Sequence, residues 1–223
     1  MTPKLKTARR DPKKTKLSKS FTVAQYDEFV ATHNREKIAS LIRERFKERF
    51  VLPLHSKQKH GFTIMAICCL MIETLESFRQ GWTNTKGKTT YKGKEISKSE
   101  CAFHLFFQNN DNAQFRVLIG FEKDFWKGIR CGILHQAETT NGWHILRKGP
   151  LFEPTTKDIN ATEFLKRIEE TLNRYCDTLT ELDWDSIEWQ NAITKLQQIC
   201  ANCVETGSPI INIGRVHSST NSV

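Results

Sequence analysis

Arg130 and His135 are the two residues whose types and spacing point most directly to chemistry. An arginine guanidinium is a permanently charged fork that matches a phosphate group, and a histidine imidazole titrates near neutral pH. Together they could hold a phosphodiester bond and move a proton during its cleavage. So loose a pattern also arises by chance. The alternative is an arginine paired with a surface acid and a histidine hydrogen-bonded at a helix end.

These residues belong to a segment, 121–138, whose apolar positions predict a helix. The apolar residues recur at intervals of four: Phe121, Phe125, Ile129 and Ile133. Such a stripe covers one side of a helix. Beside it lies a strip of small residues, Gly128 and Cys131-Gly132, that ends at His135. Each helical glycine costs roughly 1 kcal/mol relative to alanine, so we expect another backbone to approach this strip closely.

Helix geometry separates the two candidate groups within one chain. At 100° per residue, positions five apart point about 140° away from each other. Arg130 and His135 could converge if Gly132 distorts the helix, or if a second copy of the chain completes the site. The second possibility predicts a homodimer whose two subunits meet along the glycine-lined strip.

The residues R-C-G-I-L-H-Q-A-E at 130–138 resemble the signature of the HEPN superfamily, an Arg-polar-x(3–5)-His motif on a helix of an all-α bundle. The resemblance implies a metal-independent endoribonuclease with two motifs facing each other across a homodimer. It also implies that Arg130 and His135 act on the scissile phosphate and the attacking ribose 2′-hydroxyl. The family's polar residue, commonly Asn, falls on Cys131, which is a weak hydrogen-bond donor. Many members are toxins or phage-defence effectors, and others are inactive binding modules.

The hypothesis that follows is an endoribonuclease of toxin or phage-defence type that needs no metal or cofactor. It leaves 2′,3′-cyclic phosphate and 5′-hydroxyl ends at a composite dimer site. Arg130 anchors the phosphate and His135 is the general acid/base, with Cys131, Gly132 and Gly128 in supporting positions. One alternative is a catalytically inactive RNA- or nucleotide-binding module, and another is a structural or antitoxin-like interaction protein. The expected partners are RNA, a second copy of the chain, and an antitoxin or another regulatory protein.

A polar loop is predicted for residues 81–96, and its cations offer a second contact for RNA. The candidate contacts are Lys86, Lys88, Lys92 and Lys94. Trp82 and Tyr91 nearby could stack on bases, although a mobile solubilising loop explains the same composition. Gly81 and Gly87-Lys88-Thr89 imitate a phosphate-binding loop. Five residues rather than four separate the glycines, and a helix rather than a strand precedes them, so the pattern does not predict ATP binding.

Cysteines and acids elsewhere have ordinary structural interpretations. Seven cysteines, an odd number, predict reduced thiols in a cytosol rather than a disulfide framework. Cys200-x-x-Cys203 has no second pair at zinc spacing, so no metal site is predicted there. Glu73 is predicted as a surface or ion-pairing group that could orient Arg130 if its face turns inward. His144 could approach the site, but core packing around Trp143 explains that segment as well.

The net charge of +9 is concentrated at the beginning of the chain. Residues 1–20 carry eight cations against one acid, which predicts a disordered basic tail. That tail is either simply solvated or an electrostatic arm for RNA. The tail lacks the apolar segment of a signal peptide. The apolar run at 62–72 is shorter than the roughly 20 residues that a membrane helix needs. A cytoplasmic protein without a membrane partner is therefore expected.

The overall pattern predicts an all-α helical bundle of five to seven helices with a small β-hairpin excursion after the motif helix. Capping sequences predict helix starts at Thr22, Ser97 and Asn160. Residues 62–78 predict a buried central helix, and Asn141-Gly142 predicts the type I′ turn of the hairpin.

The length of 223 residues suits one domain with appendages. The predicted boundaries are a basic tail at 1–20, a helical bundle at 21–205 and a C-terminal tail at 206–223.

Overall fold

The computed structural model describes residues 11–55 and 60–203, which are mainly helical. Their α-helices are α1 (Val23–Ala31), α2 (Arg35–Phe46), α3 (Gly61–Arg79), α4 (Lys98–Gln108), α5 (Glu122–Phe125), α6 (Gly132–Gln136), α7 (Ala161–Glu181) and α8 (Ile187–Cys203). Their strands are β1 (Lys88–Tyr91), β2 (Lys94–Ser97), β3 (His144–Leu146), β4 (Phe152–Glu153) and β5 (Asp158–Asn160). There are also 3₁₀ helices at Pro12–Lys14, Leu52–Leu54 and Asn110–Leu118, and π-helical turns at Lys47–Val51 and Trp126–Cys131.

Helix α3 is the centre of the hydrophobic core. It packs against α4, α7 and α8, and the motif helix (residues 122–136) lies beside it. Among the described helices it is the one long and apolar enough to span a membrane, yet 61% of its apolar 18-residue stretch is buried inside the protein. The prediction of a buried central helix is confirmed.

Side-chain caps start three of the helices where the sequence predicts them. Thr22 and Gln25 form a reciprocal capping box at α1, and Ser97 accepts a hydrogen bond from the Glu100 amide at α4. Asn160 accepts from two amides at the start of α7. Each cap satisfies amides that have no partner within the helix. The helical bundle is thus confirmed, but the all-α assignment is wrong because two small sheets are present.

The segment after Thr22 forms two helices, α1 and α2, with a corner between them at His33 and Asn34. His33 has a φ of +50°, a left-handed conformation that ends α1. The Asn34 side chain then caps α2 by accepting a hydrogen bond from the Lys37 amide. The His33 ring stacks on Trp184 with centroids 4.6 Å apart, so the corner is held against the residues before α8.

The lysine-rich stretch, predicted as a loop, contains a β-hairpin. Strands β1 and β2 pair antiparallel, with Lys88 opposite Ser97 at one end and Tyr91 opposite Lys94 at the other. The turn residues Lys92 and Gly93 have φ values of +48° and +76°, the sign pattern of a type I′ turn.

The second sheet lies after the motif helix and differs from the predicted two-stranded excursion. Asn141 and Gly142 do have positive φ values, +59° and +78°, and the Trp143 amide donates to the Thr140 carbonyl at 3.2 Å. The strand after this turn does not pair with the residues before it. Instead β3 pairs parallel with β5, and β5 pairs antiparallel with β4.

Residues 11–20 pack on α2, so the prediction of a disordered tail is wrong for them. Leu17 is 1% exposed, and its carbonyl accepts from Arg45 at 2.6 Å. Ser18 Oγ donates to Glu44 at 2.8 Å. A single buried leucine and its backbone contacts are enough to anchor a short polar segment. The remaining tail predictions, for residues 1–10 and 206–223, lie outside the described residues.

Replacing Leu17 with alanine is expected to lower the free energy of unfolding by about 2–4 kcal/mol, since the side chain is buried and its loss leaves a cavity. Urea unfolding followed by circular dichroism measures the change. Lys14→Ala, at an exposed position of the same segment, is the matched control and should change stability by no more than about 0.5 kcal/mol. Equal stability of the two variants would mean that the segment does not contribute to the core.

Candidate functional site

The motif helix is an α-helix interrupted by a π-helical turn. The turn covers Trp126–Cys131, and Ala137 ends the helix with a φ of +54°. The apolar stripe is confirmed, because Phe125 and Ile129 are fully buried and Phe121 and Ile133 pack at the edge of the core. Single π turns inside α-helices are frequent at functional sites, and this one contains Arg130.

The glycine-lined strip is covered by the chain itself. A Cβ atom at Gly132 would lie 2.5 Å from the Glu138 carbonyl oxygen. One at Gly128 would lie 2.8 Å from the Thr140 carbonyl oxygen and 2.3 Å from the Trp143 ring. The prediction of a close backbone approach is confirmed. The expectation that the strip is the seam between two subunits is wrong, because residues 138–143 already occupy it.

Arg130 is held by Glu73, which projects from the central helix. The Arg130 Nε donates to Glu73 Oε1 at 2.7 Å, and the two side chains are 20% and 7% exposed. Burial lowers the pKa of Arg130, but the hydrogen bond and charge of Glu73 outweigh it and raise that pKa above its ordinary value. The Cys131 side chain is the other hydrogen-bonding neighbour of the guanidinium in the described part of the chain. The arginine is therefore fixed at Nε by a carboxylate, and no second acidic group of the described residues pairs with its fork.

Two hydroxyl groups fix Glu73 in turn, and an indole holds one of them. Ser99 Oγ donates to Glu73 Oε1 at 3.0 Å, and Thr85 Oγ1 donates to Glu73 Oε2 at 2.9 Å. The indole of Trp126, one turn before Arg130, donates to Ser99 Oγ at 3.0 Å. Sequence reasoning anticipated the Glu73–Arg130 contact but missed these supporting residues. Ser99 lies within a capping sequence and Thr85 within a polar loop, so neither carried a separate signal.

His135 lies on the exposed end of the motif helix. Within residues 11–55 and 60–203 it makes no hydrogen bond and no ion pair, and no hydrogen bond joins it to Arg130. Cys131, half-buried, neighbours the Arg130 guanidinium. The π turn thus does not bring the guanidinium and imidazole into contact in one chain. His144 is engaged elsewhere, with its Nδ1 3.0 Å from Asp158, and Trp143 is buried as expected.

The predicted lysine contacts differ in their availability. Lys88 pairs with Glu95 at 2.6 Å, and Lys92 donates to Gln108 at 3.1 Å. Lys86 and Lys94 are exposed and form no ion pair in the described residues. Because Thr85 donates to Glu73, the adjacent Lys86, which precedes β1, lies near the Arg130 site.

The cysteines behave as small core residues. Cys68, Cys69, Cys101, Cys176 and Cys200 are buried and form no disulfide. Burial raises the pKa of the Cys200 thiol to about 12, so it is neutral at physiological pH. Across the described ranges no group of three or more His, Cys, Asp or Glu side chains could hold a metal ion.

Comparisons with known protein families, with curated proteins and with solved structures give no match to this chain. The function is therefore argued from the site itself.

Proposed function

We propose that the protein is a metal-independent endoribonuclease of the HEPN type that acts in the cytoplasm as a toxin or phage-defence effector. The observation that carries the proposal is the geometry of Arg130. Its Nε is bound to Glu73 at 2.7 Å, which leaves the outer edge of the guanidinium for a phosphate. Paired nitrogens of that edge match two non-bridging phosphate oxygens. A carboxylate that fixes Nε lowers the entropy lost when the phosphate binds.

In the proposed reaction the ribose 2′-hydroxyl attacks the phosphorus in line with the 5′-oxygen. Its proton passes to a basic group, the P–O5′ bond breaks, and the leaving oxygen receives a proton. The products are a 2′,3′-cyclic phosphate and a 5′-hydroxyl. His135 transfers these protons, and Arg130 stabilises the charge that develops on the non-bridging oxygens.

A second copy of the chain completes the site in this proposal. Arg130 faces Glu73 in the groove beside α3, whereas His135 is exposed on the next turn. The histidine of one subunit can therefore reach the phosphate held by the other. Leu70 on α3 and Leu134 beside His135 are 40% and 48% exposed. An isologous interface that covers both would place two motifs opposite each other.

The basic hairpin would guide RNA to this site. The exposed Lys86 and Lys94 supply salt-sensitive attraction for phosphates. Tyr91 stacks on His104 with ring centroids 5.0 Å apart, so the hairpin is docked on α4 rather than free.

The direct test incubates the purified protein with a mixed RNA pool in EDTA and identifies the ends of the products. Cyclic phosphate and 5′-hydroxyl ends support the proposal, and intact RNA at stoichiometric protein contradicts it.

The composite site is tested by mixing the Arg130→Lys and His135→Ala variants, each of which is expected to be weakly active alone. Subunit exchange should restore about a quarter of wild-type activity, because half of the dimers then contain one site with both native groups. No recovery after verified exchange would mean that both groups act from one subunit.

Glu73→Gln is expected to lower kcat by about 10–100-fold with little change in KM, because the amide oxygen can still accept hydrogen bonds but the negative charge that holds the guanidinium in place is lost. Removing one partner of this largely buried ion pair should also lower the free energy of unfolding by about 1–3 kcal/mol. Steady-state cleavage and urea unfolding measure the two effects. Glu95→Gln, which breaks the exposed pair with Lys88, is the matched control and should leave kcat unchanged. A wild-type kcat for Glu73→Gln would exclude the positioning role.

The second candidate function is a non-catalytic module in which Arg130 and the hairpin bind RNA or a nucleotide. The observation that favours it is Cys131, a weak hydrogen-bond donor at the position where the HEPN superfamily, which the motif resembles, has a polar residue. This alternative expects RNA to be retained intact, with affinity that falls steeply as salt rises.

A further inference from the structure

A second basic site lies on the other side of α3, in a cleft between α2 and α8. We call it the α2–α8 cleft. Its cavity has a volume of about 180 Å³. Its lining includes three cations, Arg45, Arg49 and Lys195. It also includes three aromatic rings, those of Phe46, Phe50 and Phe78.

The three cations have no acidic partner in the described residues. Arg45 and Arg49 both donate to the carbonyl of Leu17, at 2.6 and 3.4 Å. Lys195 donates to the carbonyl of Thr83 at 2.9 Å. No aspartate or glutamate lines the cavity. Two guanidinium groups thus converge on one carbonyl oxygen with a third cation across the cleft.

This arrangement is electrostatically unfavourable without an anion. Burial, and then the charge of Arg49, lowers the pKa of Arg45. Burial likewise lowers the pKa of Lys195. A desolvated cation is costly unless an opposite charge compensates it. By contrast, Arg43 on the same helix pairs with Asp177, and Lys47 pairs with Glu169.

Aromatic rings form the apolar wall of the cleft. The rings of Phe46 and Phe50 are 5.7 Å apart, and those of Phe46 and Phe78 are 5.9 Å apart. Phe46 and Phe78 are buried, at 1% and 0% exposure, so the half-buried Phe50 is the ring against which a flat apolar group can pack. The cleft therefore combines a cationic part for an anion with an aromatic part for a planar ring.

We propose that the α2–α8 cleft binds a phosphate monoester that carries a planar ring, which is the chemistry of a mononucleotide or of the 5′-phosphorylated end of an RNA. A doubly charged phosphate balances three cations better than a single carboxylate does. Guanidinium forks also match its oxygens in pairs. The site shares no residue with the Arg130 site, so the proposal stands or fails independently of ribonuclease activity.

The test measures binding of AMP to the full-length protein by isothermal titration calorimetry, with adenosine and inorganic phosphate as partial ligands. AMP should bind at least 10-fold more tightly than either part, because charge-assisted hydrogen bonds and ring packing are both needed. Arg49→Gln and Lys195→Gln should each raise the Kd for AMP at least 10-fold. The control Arg43→Gln, on the same helix but paired with Asp177, should stay within about twofold. His135→Ala should bind AMP as the wild type does.

The remaining outcomes decide between sources and against the proposal. An RNA end is supported as the source if a 5′-phosphorylated oligonucleotide binds more tightly than both its 5′-hydroxyl form and AMP. A free nucleotide is supported if AMP binds as tightly as the 5′-phosphorylated oligonucleotide. Adenosine that binds as tightly as AMP overturns the proposal, as does an AMP affinity unchanged in both cleft variants. Both variants are expected to fold, because Arg49 is exposed and the glutamine in Lys195→Gln can still donate to the Thr83 carbonyl. Thermal unfolding of each variant checks this.

Discussion

Replacing His135 with alanine is expected to reduce RNA cleavage by about 10²–10⁴-fold, the usual contribution of one positioned general acid/base. The imidazole is exposed and makes no hydrogen bond within the described residues, so the fold does not depend on it. The melting temperature should therefore stay within about 2 °C of wild type. Initial rates on a single RNA substrate in EDTA measure the effect on the chemical step.

His144→Ala is the matched control for that variant. His144 is also an exposed histidine close in sequence, but its ring lies against Asp158 at 3.0 Å rather than beside the Arg130 fork. It should cleave RNA at the wild-type rate. Cleavage by His135→Ala at the rate of this control would reject the assignment of His135, even if the protein remains a nuclease.

The contrast between a fixed arginine and an unpartnered histidine fits a division of roles. Arg130 has one edge bound to Glu73, and Ser99 of α4 donates to the same carboxylate oxygen. A group that must bind the same phosphate at every turnover gains from such pre-organisation. A group that shuttles protons needs access to substrate and solvent, and the His135 side chain is exposed. In the proposed reaction the two roles are combined by a second motif that approaches the first.

The helices and their starts were predictable because they depend on local chemistry. Capping side chains such as Thr22 and Asn160 bond amides two or three residues away, so the short sequence pattern contains the whole interaction. The buried helix α3 was predictable from an uninterrupted apolar run. The contact between Glu73 and Arg130 could be predicted only on the condition that the Glu73 face of α3 turns inward, because the contact depends on how two helices face each other.

Contacts between distant segments account for what the sequence did not predict. The β1–β2 hairpin turns at Lys92-Gly93, and lysine is not one of the residues that favour a positive φ. Leu17 lies among cations and looks solvated, yet it inserts beside α2 through one buried side chain. The glycine-lined strip did predict a close neighbour. Its spacing could not distinguish a second subunit from the turn at residues 138–143 of the same chain.

The second large effect is expected from Gly128→Ala, which should lower the free energy of unfolding by about 1–3 kcal/mol. The new methyl group would lie 2.3 Å from the Trp143 ring and 2.8 Å from the Thr140 carbonyl oxygen. Trp143 cannot easily move, because it is 2% exposed and its indole donates to Asp124 at 3.1 Å. The overpacking should exceed the roughly 1 kcal/mol that alanine gains over glycine in a helix.

Gly61→Ala is the control, because Gly61 is also helical and its new methyl group would meet only side-chain atoms, the Ile145 methyl at 2.9 Å and Arg147 Cδ at 3.8 Å. Those side chains can shift, so the loss should stay below about 1 kcal/mol. Urea unfolding of both variants makes the comparison. If Gly128→Ala is as stable as the control, the strip is not clamped by residues 138–143, and a second subunit could again reach it. If it is less stable, the glycines serve to lock the turn onto the helix, and the proposed dimer would use the exposed surface around Leu70 and Leu134 instead of the strip.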